Sequence, residues 1–548
     1  MPDVGLLTPG ADLGPGSPAA VTDDVAVLRA MLRVEAAWVR VVVGHQGDHH
    51  VDAAGGVESA VRDGLDPAAD SAGPSGAVAS VRVADPDPEF DAEFDADIDA
   101  DIDVDVDVDP DIDADVDIDA VVERIAGSDD DALALATQLA RAGGAGGNPV
   151  IPLVAALREA AGPRLAPAVH AGLTSQDVLD TALVLVLRDA ARAAVADLDR
   201  AAAAAARLAA EHRARPALAR TLAQAAVPTT LGARFAGWLQ GILAARAFLD
   251  AVSDALPLAY GGAAGELSGL AALSGATEPY GAAVPPGATE PSAATEPSAA
   301  TEPSAATESS VATEPSVATE PFGVTGPPGS TGPADDTGTA RPEFALVEAW
   351  GAELGLPVGP APWHATRTPV VRIASALAET CTALGKVAND VLQAVRPGVG
   401  ELREPPAPGR GTSSAMAHKR NPVLSVLVRR SAIAAPHLAA QVLGAAGLAV
   451  DERSDGAWHA EWPGLQLLAR HAIASAHAAA ELLEGLEVDT DAVARNLRDG
   501  LPGGLSDGMS DGISDGMSGT GPAPDVAAAA AVVGRVLDQY AEQTGQGA

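Results

Sequence analysis

From Ser175 to His212 the chain contains neither glycine nor proline. Thr174 or Ser175 can cap a helix at the start of that stretch, and Asp177 sits near the capping-box position. The pattern predicts one helix of roughly 37 residues, about 55 Å long at 1.5 Å per residue. A rod of that length belongs to a long bundle or coiled coil, because only partners of similar length can cover it. Such partners can be read further along. Leu231, Phe235, Trp238, Leu239, Ile242 and Leu243 recur at helical spacing after Pro228. Further apolar helices are expected over 369–395, from Val423 to about 446, over 458–486 and over 525–542. The chain is 47% hydrophobic but only 3% aromatic, so Ala, Leu and Val supply the apolar surface. That balance favours helices packed closely along small side chains.

The expected fold class is all-α: a long-helix bundle core flanked by smaller helical N- and C-terminal domains. The expected divisions are 1–172, 173–485 and 486–548. In the first, Thr22-Asp23-Asp24 caps a helix carrying Leu28, Met31, Leu32, Trp38, Val39 and Val42, which is expected to end near Gly44. Asn148-Pro149 opens another short helix.

Three low-complexity inserts interrupt the divisions, over about 46–120, 274–342 and 501–524. Between Asp85 and Asp119 every odd position is acidic, 18 carboxylates in all. Alternation normally argues a strand, but here it would line one face with like charge, so an extended, disordered segment is expected. Asp-x-Asp-x-Asp also occurs in calcium loops, yet no glycine or closing glutamate falls at the EF-hand positions. Ordered sequence is expected to resume at Val121. The Ala-Thr-Glu-Pro-Ser-Ala repeat over 276–321 places a proline in each unit, which excludes a helix or a central strand. Ser-Asp-Gly units at 505–517 read as a linker.

The formal charge is −41, which argues against broad nucleic-acid binding. A single cysteine, Cys381, excludes an intrachain disulfide and falls in an apolar helical pattern, as a buried structural thiol would. No signal peptide and no run of about 18 apolar residues is apparent, so a cytoplasmic protein without a membrane span is expected.

Against this acidic background, 411–422 stands out: Gly-Thr-Ser-Ser-Ala-Met-Ala-His-Lys-Arg-Asn-Pro. Hydroxyls at Ser413 and Ser414 neighbour His418, Lys419 and Arg420. Asn421-Pro422 reads as an N-cap and first helical residue. Such a loop suits binding a carboxylate and moving a proton near it; it also reads as a plain serine-rich connector. Polar stretches at 170–181 and 220–230 likewise precede long helices. None of the three has a metal-ligand spacing, a P-loop or a nucleotide-binding glycine fingerprint.

Together these stretches resemble the fumarase/aspartase superfamily. Residues 411–422 resemble its signature loop, 174–181 (Thr-Ser-Gln-Asp-Val-Leu-Asp-Thr) its second motif, and 221–232 its third. Pro362-Trp363-His364 with Arg367, Leu384-Gly385-Lys386 and Gly456-Ala-Trp-His-Ala-Glu-Trp462 resemble the 3-carboxy-cis,cis-muconate cycloisomerase branch. The resemblance implies homotetramers whose active sites gather the three motifs from three subunits, a small polycarboxylate substrate, and no metal, nucleotide or redox cofactor. It implies that Ser413 acts at the carbon beside a carboxylate and that His170 is an acid or hydrogen-bond donor. It implies substrate contacts from Thr174, Ser175, Gln176, Gln224, Thr229, Arg367, Ser414, Met416, Lys419, Arg420 and Asn421. Thr412, Ala417 and Leu222 depart from the pattern, standing where Gly, Pro and often His are found. The expected reaction is lactone closure of 3-carboxy-cis,cis-muconate. A fumarate-releasing lyase such as adenylosuccinate lyase is the enzymatic alternative, and a degenerate helical scaffold the non-enzymatic one.

Overall fold

The computed structural model describes residues 17–54, 117–274, 341–416, 418–501 and 526–545. The acidic alternation up to 116, the Thr-Glu-Pro repeat and the Ser-Asp-Gly units lie outside them.

The expected all-α architecture is found. A 3-10 turn, Pro18–Thr22, leads into α1, Asp24–Ala54. Helices α2 (Ile118–Ala126), α3 (Asp129–Gly146) and α4 (Val150–Leu165) complete the N-terminal part. Helix α5, Ser175–Glu211, has 37 residues, as its sequence predicts. A β-hairpin follows, β1 (Pro216–Thr221) antiparallel to β2 (Gln224–Thr230). Then come α6 (Leu231–Asp254), α7 (Ser268–Leu273), α8 (Pro342–Leu354) and α9 (Thr368–Ala394). The two-residue strand β3 (Leu402–Arg403) pairs with β4 (Glu487–Val488) on either side of α10 (Val423–Ala446) and α11 (Gly456–Glu484). Helices α12 (Thr490–Gly500) and α13 (Ala527–Thr544) end the chain.

Helices α5, α6, α9, α10 and α11 form an up-down bundle. The starts of α5, α9 and α11 meet, because Asp180 accepts hydrogen bonds from both Arg367 and Trp458. The end of α5 meets the start of α6, where the Gly232 N–H donates to the His212 carbonyl at 2.9 Å. A Cβ on Gly232 would lie 2.7 Å from α5 backbone atoms, so only glycine permits this approach. After α6, Ala259 returns to Thr181 near the start of α5. At its far end α11 reaches α5 again, through Glu484 with Arg200 and Arg207. We call the end holding Asp180 the near end and the other the far end. Leu, Val and Ala dominate the core; its largest buried rings include Trp38 against Trp350, and Phe235 against Trp238.

Several local expectations are corrected. Helix α1 continues past Gly44 to Ala54; a Cβ at Gly44 would touch nothing, so that glycine is a neutral helical residue and not a stop. Helix α2 starts ahead of the expected Val121: Asp117 caps it, and Asp119 in its first turn pairs with Arg40 at 2.6 Å. The hairpin replaces the first turn expected of α6, and Thr230 caps that helix through the Ala233 N–H. Asn421 does not cap α10. Glu404 does so, its two oxygens accepting the N–H groups of Leu424 and Ser425 at 3.1 and 2.8 Å. By length and mean hydropathy alone α10 could cross a membrane, although Arg429, Arg430 and His437 interrupt it and it is no unbroken apolar run. Here it is a bundle helix, packed on α9 and α11.

His471 on α11 is buried, with Nδ1 3.2 Å from Ser431 Oγ on α10. Burial, with a smaller push from Arg430, holds its imidazole down at about 4. An unfolded chain, whose histidine titrates near 6.5, therefore binds this proton more readily than the folded one. Its contribution to stability is complete above about pH 6.5 and is lost as the pH falls towards 4. The full loss is about 3 kcal/mol. Urea unfolding of wild type and His471→Gln across pH 4–7 should show a shallower acid slope in the variant; equal slopes would refute this account.

Candidate active site

The near end of the bundle collects polar groups from six parts of the chain. Thr174 and Asp177 form the expected capping box on α5, with Asp177 accepting the Thr174 N–H at 2.9 Å. Asp177 also accepts the Gly262 N–H at 3.1 Å and meets His364 Nε2 at 2.8 Å. His364 Nδ1 is buried without a hydrogen-bond partner. Arg453 donates to the Thr174 hydroxyl and to the Gly262 carbonyl, tying the loop before α11 to the start of α5.

Beneath this rim lies a buried charge cluster. Arg367 contacts Asp180 at 2.6 and 3.0 Å and Glu461 at 2.6 Å. Trp458 donates to Asp180 at 2.9 Å, and Gln176 Nε2 donates to Asp180 and to the His364 carbonyl. Burial alone would push the Arg367 guanidinium down, but the two carboxylates overcome it and hold the group above the usual arginine range. Burial lifts Glu461 above the usual carboxylate range, although Arg367 pulls the other way.

The residues singled out from sequence divide accordingly. His170, Thr174, Ser175, Gln176 and Arg367 are together at the near end. His170, Thr174 and Ser175 are half-buried, whereas Gln176 and Arg367 are buried and committed to protein partners. The signature loop stands elsewhere. Its stem is closed by the Asn421 N–H on the Gly411 carbonyl at 2.8 Å, by the Thr412–Arg420 bridge, and by Arg410 paired with Glu481 at the far end of α11. On the loop, Ser414, Met416, Lys419 and Arg420 are exposed and Ser413 and Asn421 half-buried. The Ser413 hydroxyl accepts the Met416 N–H at 3.1 Å, so it is turned onto its own loop. Gln224 and Thr229 lie on β2, also at the far end; Gln224 is exposed and Thr229 half-buried. Glu481 and Glu484 sit on the last turn of α11, and Glu484 bonds Arg200 and Arg207. Those arginines lie 26 and 33 residues beyond Thr174, or about 40–50 Å along α5. One protomer therefore does not bring the three polar stretches into one pocket.

Sequence reasoning missed two residues here. Arg453 carries no periodic signal. Glu35 does: Leu28, Leu32, Glu35 and Val39 follow one helical stripe, so a carboxylate falls on the buried face of α1. Its oxygens meet His170 Nδ1 at 2.6 Å and the His170 N–H at 3.1 Å.

Three comparisons bear on this geometry. The family model described as "Lyase" matches residues 101–278 and 326–436. The chain is similar to a nitrosuccinate lyase of Streptomyces davaonensis, 41% identical over 362 residues, covering 66% of this chain and 63% of that protein. It is 35% identical over 363 residues to a 3-carboxy-cis,cis-muconate cycloisomerase of Bradyrhizobium diazoefficiens, covering 66% and 65%. The chain thus spans just under two thirds of the length of these two relatives. Its fold is similar to the crystal structure of the 3-carboxy-cis,cis-muconate lactonizing enzyme from Pseudomonas putida, with TM-score 0.51, 28% identity and 74% of each chain covered.

Replacing Arg367 by Met should leave Asp180 and Glu461 buried without their cation, at a cost of roughly 3–5 kcal/mol. Chemical denaturation checks this; a change under about 1 kcal/mol would show that the cluster does not hold the near end together.

Proposed function

The chain belongs to the lyase family of the fumarase/aspartase superfamily, and from that premise we propose that it catalyses β-elimination, or its reverse, beside a carboxylate of a small polycarboxylate. Nitrosuccinate is the substrate this reading favours. The observation that carries the reaction class is the near-end rim: an imidazole, two hydroxyls and a guanidinium at the N-terminus of a 37-residue helix. Such groups bind anions and exchange protons. The choice of substrate rests on the higher identity to the nitrosuccinate lyase, 41% against 35%.

In nitrosuccinate the nitro-bearing carbon neighbours a methylene that is itself next to a carboxylate. Taking a methylene proton pushes charge into that carboxylate, the C–N bond breaks, and fumarate and nitrite form. Ser413 receives the proton in this reading as its oxyanion, its hydroxyl having first left the Met416 N–H and given its own proton to solvent. Lys419 and Asn421 hold a carboxylate, and His170 serves the departing group. Lactone closure of 3-carboxy-cis,cis-muconate runs the same step backwards, with a carboxylate oxygen adding at one carbon and a proton arriving at the next. That expected activity is the second reading, favoured by the 35% relative and the similarity of fold.

A complete pocket then requires more than one copy, because the loop and the rim lie at opposite ends of α5. Helix α10 offers a surface for assembly: Val426 and Ile433, two turns apart, are 50% and 61% exposed. A homotetramer is the assembly this reading uses.

Purified protein should release nitrite and fumarate from nitrosuccinate, and Ser413→Ala should slow this at least about 10²-fold, the scale of losing a proton-transfer group. Loss of the muconate diene without nitrite release would install the second reading, and turnover of neither substrate would refute the assignment. Mixing the impaired Ser413→Ala and His170→Asn proteins, then dissociating and reassembling them, should raise the activity above that of either variant alone through sites with both groups intact. No recovery in verified hybrids would place both residues in one protomer's site.

A further inference from the structure

Glu35 is fully buried on α1, in a stretch where Leu32, Val34, Ala36 and Trp38 are buried as well. A carboxylate in such surroundings is costly unless its oxygens are satisfied. Both are directed at one residue, since Oε1 meets His170 Nδ1 at 2.6 Å and Oε2 accepts the His170 backbone N–H at 3.1 Å. His170 itself adopts a left-handed backbone, φ 59°, which a residue with a Cβ rarely takes. Its turn is clamped from several sides. Trp38 donates to the Ala171 carbonyl at 2.9 Å and Arg158 to the Val169 carbonyl at 3.2 Å. Gly172 packs so closely on Gly269 that an added Cβ would lie 2.9 Å from that backbone. The imidazole is thus fixed in place and direction, with its side chain still 14% exposed while that of Glu35 is not exposed at all.

We propose that Glu35 is a positioning residue that holds His170 with a proton on Nδ1 and leaves Nε2 as the atom that exchanges a proton with the substrate. A carboxylate only accepts hydrogen bonds, so the ring nitrogen facing it carries the proton. In the neutral ring Nε2 is then a bare acceptor. When Nε2 gains a proton, the neighbouring carboxylate stabilises the imidazolium that forms. In the elimination, Nε2 first takes a proton from water to form the imidazolium; its Nε2–H bond then breaks as an O–H bond forms on the departing nitrite, which leaves as nitrous acid and ionises in solution, while Nδ1 keeps its proton throughout. This role rests on the reaction class proposed above, whereas the tautomer does not.

The test has two arms. In protein labelled with 15N-histidine, the His170 signals are identified by their loss in His170→Asn. Wild type should show the Nδ1–H tautomer, and the Nε2–H tautomer would overturn the proposal. In the kinetic arm, Glu35→Gln should lower kcat about 10²-fold with KM changed less than about threefold, and Glu35→Asp should recover part of the loss. In a His170→Asn background Glu35→Gln should add less than about twofold. An equal loss in both backgrounds would mean that Glu35 acts only on the fold. If wild type turns over neither candidate substrate, the spectrum alone decides, so failure of the reaction class and failure of the inference are told apart.

Discussion

One guanidinium sets the register of three long helices. Arg367 precedes α9, Asp180 lies in the second turn of α5 and Glu461 in the second turn of α11, and all three side chains are almost wholly buried. A buried ion pair adds little net stability over an apolar contact of the same shape, because desolvation offsets the attraction. Breaking it is costly, however, and any sliding of one helix against another would break it. The cluster therefore selects one alignment among several that Ala- and Leu-lined helices would otherwise tolerate. The far end has its counterpart. Buried Glu401 receives Arg220 from the hairpin, Arg234 from α6 and Asn496 from α12. Burial would lift its carboxyl, but those partners hold it below the usual range.

With both ends fixed, the length of α5 dictates how far apart the candidate site groups lie. The capping box, the Arg453 contact and the Glu35–His170 pair sit at one end, and the signature loop and hairpin at the other. No rotamer change spans tens of ångströms. The loop hydroxyl and the rim imidazole can act on one substrate only if different copies of the chain supply them. Among the described residues, the loop and the rim share no pocket within one protomer, and α10 leaves Val426 and Ile433 exposed; the assembly proposed above would account for both.

The sequence made α5 legible almost to the residue, because a capping box opens it and no breaker interrupts it. The hairpin was not legible. Its turn, Leu222-Ala223, has positive φ at both residues and carries neither Gly nor Asn to announce it. Its strands are held instead by tertiary contacts, Arg220 on Glu401 and Leu218 against Gly500. The cap of α10 failed for a related reason: Glu404, 20 residues before Leu424, supplies what Asn421 was expected to supply. Motif matching named Gln176 and Arg367, but spacing cannot tell a side chain that faces substrate from one that faces Asp180.

Glu404 also alters how the signature loop should be pictured. The N-terminus of α10 attracts anions through its free N–H groups. Here the chain's own carboxylate already takes two of them, so a substrate carboxylate does not find that site vacant. The clamp holds the start of α10, at the base of the loop. At the tip, Ser413 spends its acceptor capacity on Met416 and Ala415 N–H groups, within its own turn. Reaching a substrate requires giving up those bonds. In the reaction proposed above, substrate contacts from Lys419 and the loop backbone would offset that loss, which would make binding and activation of the serine a single event.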